Sequence, residues 1–99
     1  FVDTALDYEG VTAFSSGKGK GIGFDPNFVF IESVYSTQTG FLASFYGRPE
    51  KFGDYGITME PGRGESYSRY KIKSSQDLDV ALKALHISAH FKELEPKGG

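Results

Sequence analysis

Cysteine and tryptophan are absent and methionine occurs once. Without cysteine there is no disulfide, no thiol nucleophile and no thiolate metal site, which fits a reducing cytoplasm. No apolar run approaches the roughly 18 residues that a membrane span requires, and nothing has the pattern of a signal peptide, so a membrane partner is not expected. Excess positive charge is missing too. The formal net charge of −2 gives no general attraction to nucleic acid, so such contact has to come from a local basic patch. No internal repeat and no domain boundary interrupts the chain.

What remains is aromatic and glycine-rich: six Tyr, nine Phe and thirteen Gly, a composition that favours strands joined by tight turns. Ninety-nine residues read as a single α+β domain spanning 1–99, with a modest core. The chain begins at Phe1 rather than Met, which reads as a chain lacking some N-terminal residues.

The last third carries the clearest signals. Tyr67 to Lys73 alternates like a strand, and Ser74-Ser75-Gln76-Asp77 reads as a helix start. Ser74-x-x-Asp77 resembles a capping box, whose last position prefers Glu or Gln. Apolar residues then fall at helical spacing as far as Leu94, and Pro96 and Gly98-Gly99 close the far end. Leu78, Ala81, Leu82, Leu85 and Ala89 form one apolar face; Val80, Ala84, Ile87, Phe91 and Leu94 form a second, nearly opposite. A helix apolar on two sides needs two partners. One is the sheet; the other is a second helix or a second copy, which makes Val80, Ala84, Ile87 and Phe91 a candidate homodimer face.

Earlier in the chain, Val2 to Tyr8 reads as a short helix stopped by Gly10, the natural partner for that second face. Val11 to Phe14 and Ile22 to Phe24 read as a hairpin around the glycine-lysine loop 17–21. Phe28 to Thr37 is the strongest strand, apolar on both sides at its start and so central in the sheet. Its alternation puts Phe28, Phe30, Glu32 and Val34 on one side. Gln38-Thr39-Gly40 turns into a strand over Phe41 to Tyr46. Glu50 to Tyr55 is a turn or one helical turn, Ile57 to Glu60 a short strand, and Pro61-Gly62-Arg63-Gly64 a loop. The expectation is an antiparallel, curved sheet of five to six short strands packed against a C-terminal helix and a short N-terminal helix.

Four constellations are candidates for chemistry. The loop Gly17-Lys18-Gly19-Lys20-Gly21 offers Lys18 and Lys20 to a phosphate. It lacks the Ser or Thr and the following helix of a phosphate loop, and a bare hairpin tip is the plainer reading. Tyr67, Arg69, Lys71 and Lys73 alternate and so share one strand face, with Arg63 close in sequence; a ring beside a row of cations holds phosphates and stacks bases. The plainer reading is a solvated edge strand guarded by lysines. His86 and His90, four apart on the helix's polar stripe with Glu93, have metal-ligand spacing but lack the glutamate of the zinc-protease motif. Asp3 and Asp7, one helical turn apart and near Glu9, offer hard oxygen ligands to a cation. For both sets a solvated helix face is the plainer reading.

Gly10-Val11-Thr12-Ala13-Phe14, Gly21-Ile22-Gly23-Phe24, Phe28-Val29-Phe30-Ile31 and the basic run Arg69 to Lys73 entering Ser74-Ser75-Gln76-Asp77-Leu78 together resemble the YdhG-like domains and their uncharacterised relatives. The resemblance implies an α+β domain with a curved antiparallel sheet against helices. Some YdhG-like members are frataxin-like iron chaperones that use acidic residues on a helix, a place only Asp3 and Asp7 fill here. Other relatives accompany DNA-processing proteins.

The leading expectation is a non-enzymatic binding or accessory module of a bacterial cytoplasmic protein. Its basic face and glycine-lysine loop would meet a phosphate-bearing or acidic partner such as nucleic acid, with no cofactor. One alternative is an iron-chaperone-like, metal-handling domain. Another is an enzyme or small-molecule pocket protein lined by Tyr35, Tyr46, Tyr67 and Tyr70.

Overall fold

The computed structural model describes residues 1–16, 21–34, 40–62 and 64–97. Its elements are α1 (Val2–Leu6), β1 (Thr12–Ser16), β2 (Gly21–Asp25), β3 (Val29–Val34), β4 (Phe41–Tyr46), α2 (Pro49–Gly53), β5 (Glu60–Pro61), β6 (Tyr67–Ile72) and α3 (Ser75–Phe91). The strands form one six-stranded sheet in the order β1-β2-β3-β4-β6-β5, every neighbour antiparallel. This is the expected α+β architecture. β3 and β4 lie at the centre, where a strand apolar on both sides belongs.

Alternation decides which side each strand buries. Ala43 and Phe45 of β4 and Ile72 of β6 are buried against the helices. Phe1 packs edge-on against Phe41 and Phe45, and Phe52 of α2 packs on Phe45. All three helices therefore gather on one face of the sheet, with α3 laid over β4 and β6.

The start of α3 follows its sequence. Ser74 is the N-cap, and its hydroxyl accepts from the Asp77 amide at 3.1 Å. Asp77 returns the favour one residue early, accepting from the Lys73 amide at 3.0 Å. The end differs from expectation. The helix stops at Phe91 because Glu93 turns into the left-handed region at φ 57°. There the Glu93 amide donates to His90 O and the Leu94 amide to Ala89 O, the paired bonds of a Schellman cap.

The two apolar faces expected of α3 are the shoulders of one broad buried arc. Ala81, Ala84, Leu85, Ser88 and Ala89 are fully buried, and Ser88, polar in the sequence, joins the two sides. At Phe91, towards the end of the second shoulder, cover comes from α2 and the turn after it: Phe91 meets Phe52 at 5.7 Å and Tyr55 at 6.2 Å between ring centres. The expected partner there was the N-terminal helix. Just beyond α1, Tyr8 packs on Phe28, and Asp7 to Glu9 zip to the chain's other end, the Glu9 amide donating to Glu95 O and the Lys97 amide to Asp7 O. Of the candidate homodimer face, Ala84 and Ile87 are buried inside the chain, while Val80 and Phe91 are half-buried.

Four strand readings are corrected. Phe28 precedes β3 and is fully buried on the helix side, against Tyr8 and Phe24, while Phe30 lies on the opposite face. The register shifts between Ile31 and Ser33, so Val34 comes to pair with Phe41, and the bulge breaks the simple alternation at Glu32. The short strand falls at Glu60–Pro61 rather than Ile57–Glu60, at the sheet edge where proline's missing amide costs no ladder bond. Because β5 pairs outside it, β6 is not the edge strand.

Candidate functional site

The sheet face turned away from the helices is where the sequence-predicted site residues meet. Tyr67, Arg69 and Lys71 alternate along β6, and their register partners on β4 are Tyr46, Ser44 and Leu42. Phe30 is the partner of Ser44 on β3, which brings it to the same face. Tyr67 packs edge-on against Tyr46 at 5.6 Å and Phe30 at 6.0 Å, and its hydroxyl donates to Asn27 O at 3.3 Å. Burial pushes the Tyr67 phenol above its ordinary range, with the neighbouring Tyr46 adding to the shift. On β1, Phe14 is 54% exposed and its ring lies over Gly23, where a Cβ would come within 2.5 Å of it. Glycine at that position is what gives the ring its seat.

Arg69 does not join a free row of cations. Its Nε lies 2.8 Å from Glu32 Oε2 and its Nη2 donates to Oε1 at 3.0 Å, a two-pronged pair with a carboxylate that is 7% exposed. Glu32, two residues after Phe30, shares its face, and the bulge follows between Ile31 and Ser33. Ser44, paired in register with Arg69, is fully buried there. Positive charge on the face thus falls to Lys71, which is exposed; Lys73 lies past the end of β6. Lys18, Lys20 and Arg63 lie outside the described residues.

The other candidate sets are not brought together. Among the described residues no group of three or more His, Asp or Glu side chains is placed to hold a metal ion. Glu93 leaves the helical stripe of His86 and His90 because of the left-handed turn, and His86 Nδ1 instead meets the Tyr8 hydroxyl at 2.5 Å. Asp3 lies in the first turn of α1 and Asp7 is its C-cap. Of the four tyrosines expected to line a pocket, Tyr46 and Tyr67 meet, whereas Tyr70 sits in register with Ala43 on the helix side and donates to Asp77 Oδ1 at 3.3 Å. Tyr35 lies outside the described residues.

Sequence reasoning missed Phe14 and Phe30 as surface rings. The signal was there for Phe14, since a ring opposite Gly23 in a hairpin has no partner side chain to hide behind. Among the described residues, no helix is long and apolar enough to cross a membrane. No family model matches the chain, and no curated protein or solved structure matches it either.

Proposed function

We propose that this chain is a non-enzymatic binding module that lays a single-stranded, phosphate-bearing partner across the sheet face opposite its helices. The observation that supports it is the row of rings Phe14, Phe30, Tyr67 and Tyr46 on that face, with Lys71 exposed beside it. Every base has a π-face, so rings at strand spacing hold successive bases without reading sequence, while lysines meet the backbone phosphates. Lys73 extends the cationic side. The Arg69–Glu32 pair makes a rigid, neutral centre to this surface rather than a phosphate contact. With a net charge of −2, binding depends on this local patch and is weak at high salt.

Fluorescence anisotropy with labelled single-stranded oligonucleotides at several salt concentrations tests the reading. Tyr67→Ala is expected to cost about 1–3 kcal/mol of binding, as loss of one stacking ring does. Lys71→Ala is expected to flatten the salt dependence by about 0.7 in log–log slope, the value of one phosphate contact on a single strand. An acidic peptide that binds as tightly, with no dependence on Tyr67, would move the module to a protein partner.

A further inference from the structure

A second site lies at the end of the sheet, and it does not rest on the reading above. After β4 the chain turns through Gly47 at φ 134°. A Cβ there would stand 2.8 Å from the Phe91 ring and 2.9 Å from the Phe52 ring, so the bare glycine lets Phe91 settle against the turn. Beside it is a cleft of about 160 Å³ lined by Tyr46, Gly47, Arg48, Lys51, Ser66 and Phe91.

Three cations gather here from two segments, Arg48 and Lys51 lining the cleft and Lys92 standing beside it. Arg48 is the N-cap of α2 and Lys51 follows three residues later, the spacing that puts both on one side of a helical turn. Lys51 Nζ stands 5.5 Å from the centre of the Phe91 ring. Lys92, the C-cap of α3, is turned by the Schellman cap so that its Nζ stands 4.2 Å over Tyr46. Arg48 touches only Glu50 and Glu65 among the described residues, at 3.9 and 3.8 Å between exposed side chains. Contacts of that kind contribute little, so Arg48 can exchange them for a better anion at small cost.

We infer that this cleft binds a small phosphate monoester. The phosphate lies between Arg48 and Lys51, and its organic group rests against Tyr46 and Phe91. The three cations outnumber the two glutamates that touch Arg48, and the excess positive charge favours an anion. The guanidinium supplies the planar fork that grips two phosphate oxygens at once. A volume of this order holds about one ring, as a 150 Å³ apolar cavity holds benzene, so the organic group is compact.

Titration of the ¹⁵N-labelled protein with phenyl phosphate, inorganic phosphate, benzoate and phenol tests the site. Phenyl phosphate is expected to shift the Gly47, Ser66 and Lys51 amides and to bind about tenfold more tightly than any of the other three, a difference of one RT ln 10 step. Arg48→Ala and Lys51→Ala, both exposed positions that leave the core untouched, should each weaken it severalfold. Lys71→Ala, on the open face, should leave it unchanged, which separates this site from the oligonucleotide surface. Equal affinity for benzoate, binding unmoved by Lys51→Ala, or no shift at millimolar phenyl phosphate would overturn the assignment.

Discussion

Gly40 sits at φ 85°, and a Cβ on it would come 1.6 Å from the Ile72 carbonyl oxygen. That oxygen belongs to the backbone of Ile72, the last residue of β6, which is held in register with Phe41 of β4. Gly40→Ala should therefore lower stability by more than about 1 kcal/mol, read as a reduced urea midpoint. Tyr70 makes a second residue-level test. Burial first, then the Asp77 charge and its hydrogen bond, raise the Tyr70 phenol above 10.0. A raised acid keeps its proton more tightly in the folded state. Its contribution is complete below the unfolded value near 10.0 and is lost as pH climbs through the folded value, so stability falls on the alkaline side. Ultraviolet titration should find Tyr70 ionising earlier in Asp77→Asn than in the parent chain, though still late, because burial remains.

At the scale of the element, the end of α3 sets where Lys92 lies. Glu93 takes the left-handed conformation that glycine adopts without penalty. Glu93→Gly should raise stability by up to about 1 kcal/mol in thermal or urea unfolding while leaving Lys92 over Tyr46. The helix start was legible because Ser74 and Asp77 carry its capping chemistry in four consecutive residues. The stop was not, because a glutamate has no marked preference for a left-handed turn, and Pro96 advertised a later end. Two apolar faces were read where one arc exists, because Ser88 counts as polar in a sequence and buries here for its small size. Within β3 the alternation was legible from Val29 to Glu32. A bulge leaves no mark in composition, so the register beyond it could not be read.

The whole molecule divides its labour between two faces of one sheet. Three helices bury one face, and the other carries rings, one neutralised ion pair and an exposed lysine. The sequence placed Tyr67, Arg69 and Lys71 together correctly, since strand period alone sets that. It could not foretell that Glu32, 37 residues away, neutralises Arg69, nor that Arg48, Lys51 and Lys92 converge, because those meetings depend on topology. The central claim is that the open face is the binding surface. Amide chemical-shift mapping with a short single-stranded oligonucleotide at low salt tests it most directly. The account predicts shifts concentrated at Phe30, Leu42, Tyr46, Tyr67 and Lys71, fading as salt is raised. Shifts centred on the exposed side of α3, around Lys83, His86 and His90, or none at all, would contradict it.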